Sequence, residues 1–192
     1  MRRIFHISVV FFLVLGLYGC TKPEEKITIT NPLEMNTMKA DTTGYRFLED
    51  DDPALDELDL HEALRLFEEN GTGVLFFGAP SCPICQRAIA EIDIASKDLG
   101  VRSYYVNTDI IIDALDFRSL LEYTKEYLET DSNGSPNFRV PRIFVIKDGE
   151  IQGTYLGLPD SVKLENENSQ MTAAQKKELQ DIYKELMKRI AD

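Results

Sequence analysis

Val74-Leu75-Phe76-Phe77-Gly78-Ala79-Pro80-Ser81-Cys82-Pro83-Ile84-Cys85-Gln86-Arg87 decides how the rest of the chain is read. Its four leading apolar residues, Val74 to Phe77, suit a central strand covered on both faces. Gly78, Ala79 and Pro80 then break the strand. Two cysteines follow with two residues between them, and Cys85, Ala88, Ile89 and Ile92 recur at helical spacing. Pro83 falls at the first helical position, where a missing N–H costs nothing. The order strand, turn, thiol, helix puts Cys82 at a helix N-terminus, where free N–H groups and the helix dipole favour a thiolate. Cys85, one turn further in, lies within bonding reach. The expectation is a redox dithiol in which Cys82 is the nucleophile and Cys85 the resolving thiol.

Upstream of this stretch, Asp59 with Glu62 forms the pattern of a capping box. Leu60, Leu64 and Phe67 share one face of the helix it opens, and Gly71 suits the left-handed stop. His61 reads as a surface residue of that helix. Tyr45-Arg46-Phe47-Leu48 alternates weakly, as an edge strand does. Downstream, Gly100 ends the cysteine helix and Val101 to Val106 is a strand. Asp109 to Asp131 has helical period through Phe117, Leu120, Leu121, Thr124 and Leu128, and its acidic Asp113 to Ser135 stretch reads as a packed helix rather than a recognition element. Arg142 to Ile146 and Ile151 to Leu156 are strands joined through Lys147-Asp148-Gly149-Glu150, an Asp-Gly hairpin turn. Thr172 with Gln175 is a second capping box, opening a helix buried through Leu179, Ile182, Leu186 and Ile190. Alternating helices and strands predict an α/β fold with a central mixed sheet flanked by helices.

The first residues are of another kind. Arg2 and Arg3 precede a short apolar run from Ile4 to Tyr18, an export-signal pattern rather than a membrane span. Leu17-Tyr18-Gly19-Cys20 resembles the bacterial lipobox, whose cysteine is acylated and becomes the new N-terminus. The expected organisation is a signal over 1–19, acylated Cys20 with a flexible polar tether over 20–44, and one domain over 45–192. That places the domain on the extracytoplasmic face of the cell membrane, held by a lipid anchor.

Composition excludes several functions. Acidic residues number 33 against 21 basic ones, and the net charge of −12 argues against a nucleic-acid partner. Three cysteines and two histidines, one of them in the signal, cannot supply the four ligands of a structural zinc site, so no metal is expected.

The whole pattern resembles the thioredoxin family over Tyr45 to Ile190. Phe77-Gly78-Ala79-Pro80-Ser81-Cys82-Pro83-Ile84-Cys85 is similar to that family's strand-to-CxxC junction. Val140-Pro141, directly before a strand, is similar to its cis-proline opposite the dithiol, and Gly157 to the glycine after its last strand. The resemblance implies a thiol–disulfide oxidoreductase with no organic or metal cofactor. It also implies substrate contacts at Val140, Pro141, Pro83 and Ile84, with protein or peptide thiols and disulfides as substrates and a membrane redox partner to reset the dithiol. Gln86 and Arg87 resemble a segment of small thioredoxin-like proteins linked to bacteriocin export. Some positions depart from the family. The reducing branch keeps a buried acid where this chain has Phe76 and a tryptophan where it has Ser81, and the chain has no tryptophan. Arg142, after the proline, either lies beside the dithiol or points to solvent. Direction of electron flow is open on these residues. Two other readings stand beside the enzyme. One is an accessory binding lipoprotein of peptide secretion or envelope maturation, its two cysteines a static disulfide. The other is a structural envelope lipoprotein.

Overall fold

The structure, a computed structural model, describes residues 25–29 and 32–191. The export segment 1–19 and Cys20 lie outside the described residues. In chain order the elements are β1 (Met38–Lys39), β2 (Leu55–Glu57), α1 (Leu60–Glu68), β3 (Gly73–Gly78), α2 (Cys85–Leu99), β4 (Ser103–Asn107), α3 (Ala114–Thr124), β5 (Arg142–Lys147), β6 (Glu150–Leu156) and α4 (Ala173–Met187). Short 3-10 turns follow α3 and α4. The six strands form one sheet in the order β1-β2-β4-β3-β5-β6.

β3 is the centre of this sheet, and all six of its residues are buried. It runs parallel to β4, which requires the crossover supplied by α2, and antiparallel to β5. β5 and β6 then form the hairpin. The β3-α2-β4-α3-β5-β6-α4 path, with β4, β3, β5 and β6 adjacent, is the thioredoxin-like arrangement expected from the sequence. Period-two alternation splits the core in two. Val74, Phe76, Ile143 and Val145 face α2 and α4, meeting Ile89, Ile92, Leu179 and Tyr183. Leu75, Phe77, Phe144 and Ile146 face α1 and α3, meeting Leu64, Phe67 and Leu120.

The capping signals are realised unequally. Thr172 and Gln175 form a complete box at α4. Asp59 accepts the Glu62 N–H at 2.7 Å, but the Glu62 carboxylate turns to the Asn36 N–H and to Arg65. After the Glu69 C-cap of α1 the left-handed residue is Asn70, whose φ is 55°, not Gly71. The Gly71 N–H closes the turn onto the Leu66 carbonyl at 2.9 Å. Gly71 is required there for space, since a Cβ would lie 2.8 Å from the Leu66 side chain. At the hairpin, Asp148 and Gly149 have φ of 52° and 80°, the positive values of a two-residue primed turn.

Three expectations are corrected. Residues 20–44 were expected to be a free tether, yet the described part is packed. The Ile27 N–H bonds to the Leu99 carbonyl at 2.8 Å, β1 pairs with β2, and Ala40 is buried. The apolar residues there are too sparse to show a period, so they lean singly on a surface built by the rest of the chain. Tyr45 to Leu48 is a pair of turns, not an edge strand: the Tyr45 N–H bonds to Thr42, the Leu48 N–H to Tyr45, and the Arg46 N–H to the Gln86 side chain. The helix expected over Asp109 to Asp131 is regular only over Ala114–Thr124. Asp113, accepting the Leu115 and Asp116 N–H groups, fixes its start, and the Thr124 hydroxyl bonds back to the Leu120 carbonyl at its end.

Candidate active site

The site is assembled where β3 gives way to α2. The regular helix begins at Cys85, but the Cys82 carbonyl already accepts the Gln86 N–H at 3.1 Å. Cys82 therefore holds the N-cap position in hydrogen-bonding terms, and its sulfur accepts the Cys85 N–H at 3.2 Å, as a capping side chain does. The two thiols are free and their environments differ. Hydrogen bonding from the Cys85 thiol, followed by the backbone N–H groups of Cys85 and Ile84, lowers the Cys82 pKa to about 7 against the opposing effects of burial and Asp109. Cys85 is fully buried, and its pKa is pushed up, first by the bond to Cys82 and then by desolvation. One sulfur is thus an accessible thiolate near neutral pH and the other a protonated reserve behind it.

Val140 and Pro141 stand opposite. Their peptide bond is cis, and the Val140 carbonyl oxygen is 3.9 Å from the Cys82 sulfur. The Gly157 N–H braces the Pro141 carbonyl at 2.8 Å. Pro83 is exposed at the helix start, with Ile84 and Val140 half-buried beside it. The residues singled out at Cys82, Cys85, Val140, Pro141, Pro83 and Ile84 therefore border one patch, while Cys20 lies outside the described residues.

Several residues around the patch were missed by sequence reading. Asp109, just past the end of β4, accepts both the Ser81 N–H at 2.8 Å and the Ser81 hydroxyl at 2.5 Å, clamping the turn before Cys82. A polar residue at the C-terminal end of a parallel strand is where α/β sheets place functional groups, and that was its one available signal. Phe76, six residues before Cys82, is fully buried against Tyr105. Beside it the Tyr45 and Tyr105 hydroxyls meet at 3.1 Å, and burial raises the pKa of both. The two tyrosines are 60 positions apart, so no local pattern announces them.

Gln86 and Arg87 turn inward. Gln86 donates to the Gly44 and Pro80 carbonyls at 2.8 and 2.6 Å, and Arg87 to the Pro83, Glu167 and Ser169 carbonyls. They tie the start of α2 to two loops. Arg142 follows neither expectation: it is 1% exposed and its guanidinium bonds to the Glu129 carboxylate at 2.5 Å and the Tyr127 carbonyl at 3.2 Å. A buried guanidinium without such partners would carry a large desolvation cost, which explains why it turns to Glu129. Among the described residues, no group of three or more His, Cys, Asp or Glu side chains could hold a metal ion. No described helix is long and apolar enough to cross a membrane.

No protein-family model matches the chain, and no curated protein matches it. Among solved structures it is similar to a thioredoxin from Aeropyrum pernix, with 22% identity and a TM-score of 0.39 over 52% of this chain and 73% of that one. The fold assignment rests on the chain's own strand order and connections.

Proposed function

We propose that this protein is a thiol–disulfide oxidoreductase working through Cys82-Pro83-Ile84-Cys85, tethered by acylated Cys20 to the extracytoplasmic face of the cell membrane. The observation that carries the proposal is the asymmetry of the dithiol: Cys82 is partly accessible with a pKa of about 7, and Cys85 is buried and held protonated. An attacking thiol works best when its pKa is near the ambient pH, because lower values lose nucleophilicity and higher ones lose thiolate.

In the reducing direction, the Cys82 thiolate attacks one sulfur of a substrate disulfide. A Cys82–substrate bond forms, the substrate S–S bond breaks, and the second substrate sulfur leaves as a thiolate. Cys85 then loses its proton and attacks the Cys82 sulfur. The Cys82–Cys85 disulfide forms, the remaining substrate thiol is released, and two electrons have passed to the substrate. The reverse sequence oxidises a substrate dithiol. The protein or peptide substrate lies extended against Val140 and Pro141, with Pro83 and Ile84 flanking it. A membrane dithiol or disulfide partner resets the pair.

The test is the equilibrium reduction potential of the purified protein in graded glutathione and dithiothreitol buffers, read by mass after alkylation. The expected result is reversible conversion between dithiol and disulfide within the range of exchange-active dithiols, ~−120 to −300 mV. A value near the oxidising end assigns disulfide formation, and a thioredoxin-like value assigns reduction. A pair fixed in one state across the whole range contradicts the proposal.

A further inference from the structure

Gln86 directly follows the second cysteine and is buried, and every polar group of its side-chain amide is engaged. Its Nε2 donates to the Pro80 carbonyl at 2.6 Å and to the Gly44 carbonyl at 2.8 Å, and its Oε1 accepts the Arg46 N–H at 2.9 Å. The bond to Pro80 closes a ring from Pro80 to Gln86 that contains both cysteines. The other two bonds go to a segment that the sequence reads as the end of a tether and the start of an edge strand. That segment is itself fixed on the domain. Between its two bonded residues Tyr45 is buried, with its hydroxyl 3.1 Å from that of Tyr105. The Phe47 ring lies 4.6 Å from the Arg87 guanidinium. Gly44 rests on Pro80 so closely that a Cβ at position 44 would lie 2.7 Å from the proline Cβ. A Cβ at Gly78 would meet the Tyr45 hydroxyl at 3.0 Å. Residues 44–47 thus touch the redox turn at both of its ends, Gly78 and Arg87.

The turn between the two sulfurs needs support of this kind. Pro83 has no N–H, and regular helix begins only at Cys85, so few backbone bonds fix the path from one cysteine to the other. The resolving step depends on that path, because the Cys85 sulfur must reach the Cys82 sulfur in line with the bond that breaks. An intramolecular attack draws its rate from such placement, and a displacement of about 1 Å can cost ~100-fold. We propose that residues 44–47 form a clamp on the redox turn, with Gln86 as its positioning residue, and that this clamp sets the approach of Cys85 to Cys82 in the resolving step. The inference rests on the dithiol reading above. It adds that the segment leading from Cys20 into the domain is part of the machinery that completes the exchange. The first attack depends on other groups: the Cys85 thiol and the N–H groups of Cys85 and Ile84 act on the Cys82 thiolate, and none of them belongs to the clamp.

The test uses the full-length protein, reduced and then mixed with glutathione disulfide, quenched in acid at set times and read by mass. In the first step the Cys82 thiolate attacks, a Cys82–glutathione bond forms, and one glutathione leaves as a thiolate. In the resolving step Cys85 loses its proton to solvent, the Cys82–Cys85 bond forms, and the second glutathione leaves as a thiolate. Gln86→Met keeps the length and helical preference of the side chain while removing all three bonds. Gly44→Ala opens the clamp from its other side, because the rigid proline ring cannot yield to the added methyl group. Each variant is expected to slow the resolving step about 10-fold, so that the glutathione adduct accumulates, while the first attack changes by less than about 3-fold. The double variant is expected to stay near about 10-fold, because both changes open one clamp, rather than to multiply to about 100-fold. Resolution unchanged in either single variant, effects that multiply in the double variant, or equal slowing of both steps overturns the proposal. If Gln86→Met does not fold, Gly44→Ala decides on the same two rates. A wild-type protein that forms no glutathione adduct rejects the dithiol reading itself, whereas adduct formation with resolution unchanged in the variants rejects only the clamp.

Discussion

Cys82→Ser is expected to reduce disulfide exchange to the uncatalysed background, whereas Cys85→Ser is expected to leave the first attack intact and stop the second. A serine hydroxyl at the helix start can accept the same Cys85 N–H, so the fold is retained while the nucleophile is lost. The remaining Cys85 cannot substitute for it: it is fully buried, and its pKa is raised rather than lowered. The opposite variant keeps the accessible Cys82 sulfur, with its backbone bond from position 85. A serine hydroxyl at position 85 can donate to the Cys82 sulfur in place of the thiol, the bond that contributes most to lowering the Cys82 pKa, so the first attack is kept at neutral pH. With no resolving thiol behind it, the Cys82–substrate disulfide accumulates and is seen as an adduct that dithiothreitol releases. Equal loss of exchange in both variants with no adduct in Cys85→Ser would reject the assignment of roles.

Phe76→Ala is expected to cost about 3–5 kcal/mol of stability, read as a lower denaturation midpoint in urea with little change in slope. The ring lies on the central strand, has no exposed surface, and packs against Tyr105 at 6.4 Å between centroids. It also touches the Gly78 turn, where a Cβ would come within 3.0 Å of both the Phe76 ring and the Tyr45 hydroxyl. Emptying that position leaves a cavity between β3 and the α2–α4 layer, which close-packed neighbours fill only in part. A cost below about 1 kcal/mol would mean that the region is plastic. It would then follow that the Tyr45–Tyr105 pair does not depend on Phe76 for its placement.

The parts of the fold that were legible are those whose signal is local and strong. The fully apolar Val74 to Phe77 run, the Asp-Gly turn at Asp148-Gly149, the left-handed Gly100 that ends α2, and the Thr172–Gln175 box each contain their own physical reason. The dithiol was legible because two cysteines after a strand leave few other chemical readings. What escaped was decided by partners distant in sequence. Arg142 gave no sign that it would be buried against Glu129, because a guanidinium reads as a surface group until the backbone brings a carboxylate to it. Tyr45 looked like the start of a strand, and its true partner is the Tyr105 hydroxyl. Asp109 looked like a helix start, while its carboxylate holds Ser81. The β1 strand of two residues is below the length at which any periodicity exists.

Hydrogen bonds at the start of α2 lower the Cys82 pKa to about 7, which makes its thiolate available near neutral pH. The most direct measurement is the rate of iodoacetamide alkylation at Cys82 in the reduced protein, from about pH 5 to about pH 10, read on the Cys82 peptide by mass. The thiolate alone reacts, so the rate rises as the proton leaves. A midpoint near the lowered pKa of about 7 is expected, with a plateau well before the range of an ordinary thiol. A rate still climbing through about pH 8.5, the midpoint of an unperturbed cysteine, would contradict it.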